Sequence, residues 1–169
     1  MTILASLVRP LQSRPLTPTL FERVLAIGAA IMFVIVVTAL VRGYAHWREV
    51  PVLVWMHLLT IIIALALTPF LLLGPRGNRQ HRQLGYIWVV SMAATAALSF
   101  GIYGKGGWSA IHLLSAFTLV QAPLIAWHAH RHDVIAHRTT VQLIVFGALL
   151  IAGVFTLPFG RMLGRWLAG

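Results

Sequence analysis

Charged side chains fall in clusters along this chain, and between the clusters lie five runs that carry none. The stretches enclosed by Arg23 and Arg42, Glu49 and Arg76, Arg82 and Lys105, Lys105 and Arg131, and Arg138 and Arg161 hold 18, 26, 22, 25 and 22 uncharged residues. A hydrocarbon core ~30 Å thick is crossed by roughly 20 apolar residues in a helix, so each run is long enough to span. Inside the bilayer every backbone N–H and C=O must pair within its own segment, and unbroken apolar runs lack the in-out alternation of barrel strands. The pattern therefore predicts an all-α integral membrane protein with five transmembrane helices at about 22–42, 51–74, 81–104, 108–130 and 136–160. Residues 1–21 read as a cytoplasmic arm, 51–160 as a four-helix membrane domain and 161–169 as a C-terminal tail. The last four helices are expected to form an antiparallel four-helix bundle.

Composition agrees with this reading. Hydrophobic residues make up 59% of the 169 and charged residues 9%, against roughly a quarter charged in a soluble domain. Trp47, Trp55, Trp108 and Trp166 fall toward one end of the predicted spans and Trp88 and Trp127 toward the other, where interfacial anchors belong. The net charge of +10 flanks the spans and leaves no basic stripe to track phosphates, which excludes nucleic acid as a partner and leaves the lipid bilayer. Arg9, Arg14, Arg23, Arg76, Arg79, Arg82, Arg131 and Arg138 lie on one side, against Arg42, Arg48, Lys105, Arg161 and Arg165 on the other. That excess predicts a cytoplasmic N-terminus.

The two halves of the four-helix domain repeat. His57-Leu58-Leu59-Thr60 recurs 55 positions later as His112-Leu113-Leu114-Ser115, with Pro69 and Pro123 following, and His81-Arg82 recurs 56 positions later as His137-Arg138. The domain thus reads as two hairpins of the same direction, related by an axis along the membrane normal. In a bundle arranged in chain order the second and fourth helices are diagonal, as are the third and fifth. His57 then opposes His112 near the outer face, and His81 opposes His137 near the inner.

Histidine is the only strong nitrogen ligand here, since there are no cysteines. Two imidazoles facing each other across an apolar core suit a haem iron held from both sides, fitted for electron transfer. The outer pair is the better placed of the two expected sites. Arg82 and Arg138 are expected to meet haem propionates or an anionic donor. Thr60 and Ser115 either accept the second ring N–H of their histidines or bond their own backbone carbonyls. The competing reading of His57 and His112 is hydrogen bonding to neighbouring helices, and that of His81 and His137 is ordinary flanking of a span. His128, His130 and His132 read as a solvated loop, because residues two apart do not share a helix face. Glu22, Glu49 and Asp133, the only acids, are too dispersed for acid-base hydrolysis, and a cation transporter would lack an intramembrane acid.

One histidine near the start of each of four consecutive helices resembles the cytochrome b561 superfamily of two-haem membrane proteins. More narrowly, Val52 to Gly164 looks like the bacterial domain of unknown function 2306, through His57, His81-Arg82-Gln83-Leu84-Gly85 and His137-Arg138. The resemblance covers about two thirds of the chain. It implies haem b on His57 with His112 and on His81 with His137, a cytochrome b-type oxidoreductase in the bacterial inner membrane, and transmembrane or quinone-linked electron transfer. A quinone or small reductant is the implied donor. The alternative is an accessory or structural subunit of a larger respiratory or photosynthetic membrane complex, without a cofactor.

Overall fold

The computed structural model describes residues 17–102, 110–157 and 160–169. Most of the expected N-terminal arm, Lys105, Trp108 and Pro158 lie outside them. Five long helices follow one another: α1 Leu20–Arg42, α2 Val52–Leu73, α3 Arg79–Ser99, α4 Ala110–His130 and α5 Val134–Val154. The fifth winds as a π-helix over Ile144–Ile151, and a short helix, α6 Met162–Ala168, ends the chain. The protein is an all-α, multi-pass membrane protein. The helices α1, α2 and α5, and α4 from Ile111 to His130, are long and apolar enough to cross a bilayer. Bulky side chains such as Val34, Val90 and Leu113 stand more than half exposed on the outside, as lipid-facing residues do.

The helix ends follow local chemistry. Thr19 caps α1 and accepts from the Glu22 amide while the Glu22 carboxylate takes the Thr19 N–H at 2.8 Å, a reciprocal capping box. Asn78 caps α3 through the His81 amide and Asp133 caps α5 through the Ala136 amide. The short connections make neighbours antiparallel, and the side-chain pairs fix the register. Thr60 meets Thr95 while Thr68 meets Trp88, so numbers rise along α2 as they fall along α3. Ser99 with Ser115 and Tyr86 with His130 show the same for α3 and α4.

The expected bundle of the last four helices is extended by α1, which packs along α2 on one side and along the π-helical stretch of α5 on the other. Together the five helices close a ring in which α2–α3, α3–α4 and α4–α5 are neighbours in chain order. An odd number of alternating helices leaves one adjacent pair pointing the same way, and here it is α1 with α5. Phe21 meets Phe146, Gly28 meets Leu150 and Met32 meets Gly153, so both numbers rise together. The two glycines let these helices approach closely: a Cβ on Gly28 would lie 3.0 Å from Leu150 Cδ1, and one on Gly153 would lie 3.3 Å from Met32 Cε. At the end of the ring where α1 finishes, α6 buries Leu163 and Trp166, and the Trp166 indole fills the space beside Gly43 where a side chain would stand.

Candidate functional site in the helix ring

A cavity of about 740 Å³ lies in the half of the ring that holds the N-terminal ends of α2 and α4. Small-molecule and cofactor sites run from ~300 to 1,000 Å³. All five long helices contribute to its wall: Met32 and Val36 from α1, His57 and Leu65 from α2, Met92, Thr95 and Ser99 from α3, His112, Ser115 and Thr118 from α4, and Leu149 and Gly153 from α5. His57 is half-buried and His112 is 6% exposed. His57 and His112 thus line one chamber, and they stand on helices separated by α3.

The His57 ring is oriented by a backbone group. Its Nδ1 lies 3.1 Å from the Thr95 carbonyl oxygen, which can only accept, so Nδ1 carries the proton. In the neutral ring this leaves the Nε2 lone pair as the free ligating position, the usual arrangement for a metal-bound imidazole whose second nitrogen is tied to a carbonyl. Of the two readings of Thr60, bonding to its own helix is the one found: Thr60 donates to the His57 carbonyl at 2.9 Å and receives the Thr95 hydroxyl at 2.7 Å. Ser115 likewise bonds its own helix at Ile111 and receives the Ser99 hydroxyl at 2.6 Å. Thr95 and Ser99, one turn apart on α3, tie that helix to both histidine-bearing neighbours. The phenyl ring of Phe100 lies 6.0 Å from the His112 ring.

The opposite end of the ring, where α1 begins, is built around a carboxylate. Glu22 of α1 is 2% exposed and receives Arg76 Nη2 at 2.8 Å, Arg138 Nε at 3.0 Å, Arg138 Nη2 at 2.8 Å and Gln142 Nε2 at 3.3 Å. Arg138, expected to meet a propionate, is thereby held in a two-point ion pair with α1. Arg82, the other arginine expected there, is exposed. His137 donates from Nδ1 to the Ile125 carbonyl at 3.0 Å, which leaves its Nε2 as the ligating position. His81 is half-buried in the polar first turn of α3. Glu22, Arg76 and the Thr95 carbonyl are the groups that sequence reasoning missed. The Thr19-x-x-Glu22 spacing signals a helix start, but nothing local signals that two distant arginines converge on its carboxylate.

Among the described residues no three His, Cys, Asp or Glu side chains converge to hold a bare metal ion. A haem makes a smaller demand, two protein ligands, because its own nitrogens fill the equatorial positions. Compared with known proteins, the chain matches no family model, no curated protein and no solved structure.

Proposed function

We propose that this chain is a haem b membrane redox protein, with its cofactor in the outer cavity between His57 and His112. The observation that carries the reading is a single apolar chamber with a histidine on two of its walls, one of them fixed with Nδ1 protonated. A haem there would supply one-electron chemistry between a quinol or small reductant and an acceptor. The chain's own part is different. The Thr95 carbonyl holds the His57 ring in its ligating tautomer, and Leu65, Met92 and Leu149 exclude water from the macrocycle's place. The likeness to the cytochrome b561 superfamily in four helix-borne histidines supports the same reading.

The proposal extends to topology. α3 is held antiparallel between α2 and α4, and at ~1.5 Å per residue its 21 residues match the bilayer core. It is the fifth crossing, with the N-terminus in the cytoplasm of a bacterium and the cavity toward the outside. A second haem at His81 and His137 is a weaker proposal, since Arg138 already serves Glu22.

The test is a dithionite-reduced minus oxidised visible spectrum of the detergent-purified protein, repeated on His57→Ala and His112→Ala. A b-type signal abolished by either substitution is the expected result. A colourless wild type from haem-replete cells would overturn the proposal and bring forward the accessory-subunit reading.

A further inference from the structure

The cavity wall is electrically one-sided. His57, His112, five serine or threonine residues and Arg161 line it, and among the described residues no acidic one does. Arg161 is an exposed residue where the chain returns from α5 and enters α6. The whole chain has three acids against thirteen lysines and arginines, and each acid is engaged elsewhere. Glu22 holds Arg76 and Arg138 at the opposite end, Glu49 lies 3.3 Å from His46, and Asp133 caps α5. None of the three acidic side chains pairs with Arg161, while the rest of the chamber is chiefly aliphatic and methionine surface.

We propose that the cavity selects a ligand with an acidic group on an apolar body, and that Arg161 holds that group at the outer rim. The inference rests on the cavity being the ligand site proposed above. It adds an orientation: the apolar body lies inward between the histidines and the acid points outward. A haem propionate and the carboxylate of a lipid-like acid share this chemistry, and the test separates them.

Binding is titrated in detergent with haem b and with its dimethyl ester, which lacks the charges, on wild type, Arg161→Gln and Arg165→Gln. Arg165 lies on the same tail but not on the cavity wall, so its variant is the control. The expected result is a preference of wild type and Arg165→Gln for the free acid by roughly fivefold, the size of a rim-exposed ion pair, abolished in Arg161→Gln. Equal binding of acid and ester by wild type, or a preference that survives in Arg161→Gln, overturns the proposal while leaving the haem reading standing. If wild type binds neither porphyrin, the haem reading fails by itself, and a fluorescent long-chain fatty acid and its methyl ester decide the rest. An acid preference lost in Arg161→Gln sustains the anion site, and no such preference overturns it.

Discussion

Glu22 and Arg138 lie 116 positions apart and meet through two hydrogen bonds, Nε to Oε1 at 3.0 Å and Nη2 to Oε2 at 2.8 Å, in a pocket where Glu22 is almost fully covered. Arg76 shares the same carboxylate. Removing one partner of a buried pair strands the other charge, at a cost of about 3–5 kcal/mol. Glu22→Gln, which strands two arginines, is expected to lower stability by at least that much in thermal unfolding in detergent. Arg138→Gln should cost less, because Arg76 still serves Glu22, and the exposed Arg82→Gln should cost almost nothing. Equal losses in all three would mean that the ion pairs do not hold that end of the ring together.

The Thr60 and Ser115 hydroxyls bond groups of the helices around them. Thr60→Ala and Ser115→Ala are expected to leave haem content and redox potential unchanged, since the His57 N–H goes to the Thr95 carbonyl, which neither substitution removes. Their effect falls on stability, at about 0.6 kcal/mol for each interhelical bond. A double-mutant cycle on Thr60 and Thr95 isolates that value, and a shifted potential in Thr60→Ala would count against this division of labour.

Much of this architecture was legible in the residue order. The five charge-free runs predict helices whose starts and ends lie within about six residues of those found, because lipid leaves the backbone no other choice. Two features were not. A helix as uniformly apolar as α1 carries little pattern to say which side faces protein, so its place in the ring had to come from the packing of Gly28 and Met32. The partners of His57 and His137 are main-chain carbonyls, which every residue possesses and which therefore leave no trace in side-chain spacing.

Buried Trp88 donates its indole N–H to Thr68 Oγ1 at 2.9 Å, linking α2 and α3 in the middle of the ring. Thr68→Val keeps the shape and leaves that donor unpaired. The expected loss is about 1–3 kcal/mol in detergent unfolding, and Thr68→Ser should recover most of it. If valine and serine behave alike, the bond contributes nothing.

The glycines make opposite predictions. A side chain at Gly28 presses on Leu150, so Gly28→Val is expected to push α1 from α5 and lower the midpoint of unfolding, whereas a Cβ at Gly85 meets nothing within 4 Å. Gly85→Ala should be tolerated and add roughly 0.5–1 kcal/mol through helix propensity. The chain has no cysteine, so the Gly28→Cys, Leu150→Cys double variant can be tested for an oxidative cross-link without background. A cross-link is expected, and its absence together with a silent Gly28→Val would remove α1 from the ring.

The same-direction contact of α1 with α5 also bears on how the protein is made. Of the five helices α1 leaves the ribosome first and its neighbour α5 last, so the wall stays unsealed along that one seam until α5 has followed. Until Val134–Val154 is inserted, the future chamber is a groove open to lipid. A chamber walled by all five helices is therefore complete only once α5 has packed against α1.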